Sequence, residues 1–144
     1  MVEIIRNAHS LVAYLALGML IVAVINAFMG ISSGRVFGDN DRKISLFALI
    51  FCHIQLVLGL IIYFVSPLGM ALLGDMGNAA SRLTSLEHPL INILAIALIT
   101  VGWSKHKKEE SSNGKFKKIA FLYLAGLLFI LSRIPWNLWY PWNR

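Results

Sequence analysis

Two stretches of this chain, residues 7–34 and 44–74, contain no Asp, Glu, Lys or Arg. Each exceeds the roughly 20 apolar residues a helix needs to cross a bilayer, and neither alternates apolar and polar positions as a barrel strand does. A backbone in lipid must satisfy its own N–H and C=O groups, so continuous apolar runs of this length predict helices. A third run begins near Ser85 and reaches Trp103, with Glu87 and His88 in its first turn. A fourth begins near Phe116 and continues through Leu131, with Arg133 in its last turn. The expected helices lie at about 7–28, 44–65, 85–104 and 116–134. Composition sets the same number, since 58% of the 144 residues are hydrophobic, roughly four crossings' worth at about 20 residues each.

The expected fold is therefore an all-α membrane protein, a single four-transmembrane-helix domain over 1–144 arranged up-down-up-down. Little of the chain is left outside the bilayer. That excludes a separate soluble catalytic domain and an extended nucleic-acid surface, and the single cysteine excludes an internal disulfide. The first apolar run is of full spanning length and no A-x-A-like site follows a short apolar core, so it is expected to be retained rather than cleaved.

The net charge of +6 becomes a statement about topology once the bases are placed. Arg35, Arg42 and Lys43 fall in the first loop and Lys105, Lys107, Lys108, Lys115, Lys117 and Lys118 in the third, against Arg6, Arg82, Arg133 and Arg144 on the opposite side. By the positive-inside rule both termini and the 66–82 loop lie outside, and a multi-pass protein of the cell inner (cytoplasmic) membrane is expected. Trp136, Trp139, Tyr140 and Trp142 would form an outer aromatic belt, with Trp103 marking the inner end of helix three.

Ionisable groups inside membrane helices are costly and are functional-site candidates by default. His9, His88 and Arg133 all fall near outer helix ends, and at 1.5 Å per residue the two histidines differ in depth by about 2 Å. Helices one and three of an up-down-up-down bundle run in the same direction on diagonal corners. Two imidazoles at matched depth there can grip a flat cofactor, which suits haem with bis-histidine ligation. Ala13 and Ala16 below His9, and Asn92 and Ala95 below His88, leave room for a macrocycle, although small residues also serve close helix packing. Arg133, or Arg82 in the outer loop, could pair with a haem propionate. The competing interpretation of each histidine alone is an interfacial residue reaching for water, and of Arg133 an interface anchor. Glu87 would orient His88 or favour the helix start.

His53 is the alternative ligand, but it lies about 10 Å or more deeper and is expected to be a satisfied structural histidine. At 100° per residue, Cys52, Gln55, Gly59, Tyr63 and Ser66 form one stripe with His53 turned away from it, so both cannot face inward. His106 is expected to be solvated, in the basic segment 105–118. Zinc-protease, paired-cysteine, Walker and nucleophile-elbow motifs are missing from the sequence, and Cys52 among apolar residues reads as inert packing.

Three segments resemble one half of the haem A synthase family, membrane proteins built from two four-helix halves that each carry an outer histidine pair. AHSLVAYLALGML (8–20) is similar to that family's histidine helix, QLVLGLIIYF (55–64) to its Gln-x-x-x-Gly helix, and EHPLINILAIALIT (87–100) to its second histidine helix. The layout also resembles short bacterial membrane proteins of cytochrome b type. The resemblance covers about a quarter of the chain and implies ligand roles for His9 and His88. The family's Glu-x-x-His-Arg element is replaced by Arg6-Asn7-Ala8-His9-Ser10, so haem A synthesis is not expected.

The expected function is a b-type cytochrome binding one haem b through His9 and His88 near the outer face, for electron transfer with a quinol pool or a respiratory partner. The alternatives are a cofactor-free accessory, assembly or small-solute transport subunit, and a quinone-binding subunit. The membrane lipid bilayer is the expected surrounding, a homo-oligomer is allowed and no nucleic-acid partner is expected.

Overall fold

A computed structural model of the chain describes residues 1–139; Tyr140, Trp142 and Arg144 lie outside the described residues. Helix α1 spans Val2–Ser33 and ends at Gly34, whose φ of 65° supplies the left-handed turn that closes a helix. Helix α2 spans Asp39–Val65, with the Asp41 carboxylate accepting from the Gly38 N–H at 2.9 Å. A loop containing a 3₁₀ turn, Met70–Leu72, leads to Asn78, whose side chain accepts from Ala80 N and Ser81 N and starts helix α3, Ala79–Arg82. A π-turn, Leu83–Glu87, joins α3 to α4, His88–Lys108. Helix α5 spans Ser112–Ser132 behind a Ser111 cap, and the short α6 spans Trp136–Trp139.

Each long helix outruns the expected bounds at one end at least, because polar residues flanking the apolar segment continue the helical backbone, while α2 stops at Val65 as expected and α5 stops at Ser132, two residues short. The π-turn has a local cause. Pro89 has no N–H for the carbonyl four residues earlier and its ring crowds that carbonyl, and the chain accommodates this with a wider turn in which His88 N–H bonds to Leu83 O. His9 and His88 consequently lie about 10 Å and about 13 Å inside their helix starts at 1.5 Å per residue.

Three helical stretches, Val2–Ser33, Asp39–Val65 and the continuous Ala79–Lys108, are long and apolar enough to cross a membrane. Helix α5 differs because Lys115, Lys117 and Lys118 occupy its first two turns. Its uninterrupted apolar part, residues 119–132, is about 21 Å long, against a hydrocarbon core of about 30 Å.

Helix α1 packs against α2 and α5, and α4 packs against α5 and α2, so the His9 and His88 helices occupy diagonal positions. The core between them is built from small residues and a few large ones: Ala16, Leu20, Ala23 and Ala27 of α1, Ala48 and Cys52 of α2, Ile96 and Ile99 of α4, and Phe116 and Tyr123 of α5. A Cβ on Gly30 would lie 2.4 Å from the Phe116 ring, and one on Gly126 would lie 2.6 Å from Ile99 Cγ1, so these glycines set the helix spacing. The buried Tyr123 hydroxyl donates to Ser45 O at 2.8 Å. Outside, Leu11, Ile25, Val57, Phe64, Phe121 and Leu128 are each more than half exposed, the arrangement expected where lipid is the solvent.

At the opposite end from His9, Arg35 reaches back to Asn26 Oδ1 at 2.9 Å and Asp41 Oδ1 at 2.8 Å, and lies over the Phe116 ring. His106 corrects the sequence expectation. It is 2% exposed, packed against Trp103 and Phe37, with its Nδ1 on the Trp103 carbonyl. Helix α4 runs on to Lys108, carrying this ring into the helix packing instead of into a solvated loop.

Candidate functional site

The His9 and His88 rings come together from α1 and α4 with centres 6.4 Å apart and planes at 87°. They line a cavity of about 220 Å³ whose walls are mostly apolar. Ala13 and Ala16 below His9, and Asn92 below His88, line it as well. Ala95 does not, since its carbonyl lies against Gly126 of α5.

Each ring is positioned by a different device. His88 Nδ1 lies 2.8 Å from the main-chain carbonyl of Arg133; donation from Nδ1–H fixes the tautomer and leaves the Nε2 lone pair for a ligand role. Asn92 Nδ2 donates to His88 O at 2.7 Å and stands 3.2 Å from His88 Nδ1. His9 Nε2 lies 3.4 Å from the Gln55 carboxamide nitrogen, and a Cβ on Gly59 would be 3.2 Å from His9 Cε1. Gln55 and Gly59 are four apart, on one face of α2: the first meets a ring nitrogen and the second makes room for the ring.

Four side-chain polar atoms among the described residues are buried without a hydrogen-bond partner, and three of them, His9 Nδ1, Gln55 Oε1 and Trp139 Nε1, belong to residues lining this cavity. Orphaned polar atoms in native interiors are few and each calls for an explanation. The two ends of a carboxamide are interchangeable assignments. With the Gln55 oxygen toward His9, Nε2–H donates to it and the Nδ1 lone pair is left for a ligand role.

The stripe Cys52, Gln55, Gly59, Tyr63 and Ser66 lines the cavity in full. His53 is accordingly on the other side of α2, exposed, with Nδ1 on Leu49 O at 2.8 Å and Nε2 3.4 Å from Thr100 Oγ1 of α4. It does not join the His9–His88 pair. Both arginines considered for propionates are engaged by Glu87: Arg82 Nε lies 2.9 Å from Glu87 Oε1 and Arg133 Nε 3.3 Å from Glu87 Oε2. Neither is among the residues lining the cavity, and Glu87 acts on His88 through Arg133.

The site residues expected from the sequence do not include Gln55, Gly59 and Arg6, all on the cavity wall. The spacing of Gln55 and Gly59 marked a shared face, but only the packed structure shows His9 against it. Gly69 is a further lining residue with no sequence signal; a Cβ there would lie 2.1 Å from Tyr63 O, so the loop after α2 closes directly over that helix end. Tyr14 and Trp139 stack at 4.6 Å, which ties α6 to α1 beside the same cavity. Among the described residues no group of three or more His, Cys, Asp or Glu side chains could hold a metal ion, so any metal here would depend on the two histidines and a cofactor's own ligands. Comparison with protein-family models, curated proteins and solved structures finds no match in any of the three.

Proposed function

We propose that this protein is a membrane b-type cytochrome in which His9 and His88 hold one haem b for electron transfer. The observation that carries the proposal is the imidazole pair itself: two rings from diagonal helices, 6.4 Å apart across an apolar cavity. Two imidazoles sharing one first-row metal at about 2.0–2.1 Å per nitrogen have ring centres about 6.3 Å apart. The supporting features are the carbonyl on His88 Nδ1, the unpartnered His9 Nδ1 and the small residues Ala13, Ala16 and Gly59. Haem with both axial positions filled supplies one-electron redox chemistry. The chain's own part is to orient the two rings, exclude water with the apolar walls and keep the site within reach of the membrane–water boundary. Because the cavity is about 220 Å³, below the roughly 300–1,000 Å³ of pockets that engulf drug-sized ligands, a bound macrocycle requires flexible linings such as Leu17, Leu56 and Leu60 to move aside.

The same proposal takes the fourth crossing to be made by α5, with Lys115, Lys117 and Lys118 reaching the headgroups along their aliphatic stems, and both termini outside by the distribution of bases. A quinol pool or a respiratory partner would exchange electrons with the haem in the cell inner (cytoplasmic) membrane.

A second reading is favoured by the Gln55–His9 pair. A carboxamide and an imidazole facing an apolar cavity are also the hydrogen-bonding groups that hold a quinone carbonyl.

The test is a reduced-minus-oxidised optical spectrum of the purified protein with haem extraction. A low-spin haem spectrum lost in His9→Ala and His88→Ala and kept in His53→Ala supports the proposal. Haem-free protein after expression with ample haem overturns it. Loss confined to His53→Ala overturns the ligand assignment.

A further inference from the structure

We infer that Arg6 is the carboxylate-binding group of the cavity, an assignment that rests on the haem proposal above and names how the ligand's acidic edge is held. Among the described residues lining the cavity, Arg6 is the one with a charged side chain. It is three residues before His9 on the same face of α1, one turn closer to the helix start. Tyr63, Ser66 and Thr84 line the cavity from α2 and from the π-turn before α4, the first one turn beyond Gly59 and the last one turn before His88. This end of the cavity therefore carries one guanidinium and three hydroxyls, while the opposite end is lined by Leu17, Leu20 and Ile96. A ligand with a flat apolar body and carboxylates along one edge matches that polarity.

The availability of the guanidinium separates Arg6 from the other outer arginines. Arg82 and Arg133 share the Glu87 carboxylate at 2.9 and 3.3 Å. Among the described residues Arg6 is paired with Glu3 at 3.9 Å, the side chains being 47% and 78% exposed, and such surface pairs are weak. Exchanging Glu3 for a ligand carboxylate costs little, and a planar guanidinium can meet a carboxylate with two parallel hydrogen bonds.

The experiment titrates the cofactor-free full chain, in neutral detergent, with haemin and with haemin dimethyl ester, whose carboxylates are blocked. Arg6→Gln is expected to weaken haemin about 5- to 10-fold, on the scale of a partly exposed charge-assisted contact, and to leave the ester within twofold. Arg6→Lys, which keeps the charge but not the planar fork, should recover part of the difference. Equal loss for both compounds, or loss for neither, overturns the assignment while the haem proposal stands. A wild-type protein that gives no His9- and His88-dependent absorbance with either compound overturns both. Repeating the titration in phosphatidylcholine nanodiscs with added phosphatidylglycerol distinguishes a lipid phosphate from a ligand carboxylate. Competition by phosphatidylglycerol that Arg6→Gln abolishes would place a lipid headgroup on Arg6 and overturn the assignment.

Discussion

His88 and Arg133 are joined through the backbone: the His88 ring nitrogen Nδ1 lies 2.8 Å from the Arg133 carbonyl oxygen. Glu87, the neighbour of His88, in turn grips the Arg133 side chain at 3.3 Å. The residue beside the histidine thus secures that histidine's partner. Glu87→Gln should leave the fold intact, since partly exposed ion pairs contribute about 1 kcal/mol or less. It should loosen the Arg133 carbonyl and weaken electron donation from His88, shifting upward the midpoint potential of a haem held as proposed. Potentiometric titration reads this directly, and an unchanged midpoint would show that Arg133 is held in place without Glu87.

Gly59 leaves His9 its place. An added Cβ would stand 3.2 Å from His9 Cε1, so Gly59→Ala should weaken haem binding only mildly. Gly59→Val should weaken it about tenfold or more by turning the ring. Haemin titration of both variants alongside thermal melts checks this; a melt lowered in step with binding would point to misfolding instead.

Gly126 governs the α4–α5 spacing, with Ile99 Cγ1 2.6 Å and the Ala95 carbonyl 2.9 Å from the position of its missing Cβ. Gly126→Leu should destabilise the protein by about 1–3 kcal/mol, the usual cost of overpacking. Equilibrium unfolding in a denaturing detergent measures it, and wild-type stability would mean that these two helices separate without penalty.

Topology is open to direct labelling in cells. In a Cys52→Ser background, a membrane-impermeant maleimide should label Gly77→Cys and Asn137→Cys and spare Glu110→Cys. Protection of Asn137→Cys with labelling of Gly77→Cys would show that α5 does not cross, leaving the three stretches that length and hydropathy support.

Much of the site's placement was readable in the sequence because helical periodicity fixes both depth and face. Depth brought His9 and His88 to one level, and periodicity put Cys52, Gln55, Gly59, Tyr63 and Ser66 on one stripe with His53 turned away; the cavity lining and the His53–Thr100 contact agree. What was not readable depends on the pairing of particular side chains. Glu87 lies within reach of two arginines, and nothing in the spacing says that both will choose it over the cavity. His106 sits in a run of lysines that reads as solvated, yet Phe37 and Trp103 from separate segments enclose it. Hydropathy beyond Phe116 predicts a fourth crossing, and the three lysines around that boundary leave α5 short of a full apolar span.

Arg82 and Glu87 are five residues apart, yet their side chains meet at 2.9 Å. On an uninterrupted α-helix that spacing leaves two side chains about 140° apart around the axis. The π-turn Leu83–Glu87 brings them into phase, because five residues there span close to one turn. The turn is therefore a one-residue buffer in the helix count. Deleting a single residue within 84–86 would leave Arg82 and Glu87 four apart on a more regular helix, about 40° out of phase, so the ion pair and His88 would both keep their places. The length of the chain before α4 can thus change by one residue at this turn without moving either the ion pair or the histidine at the head of α4.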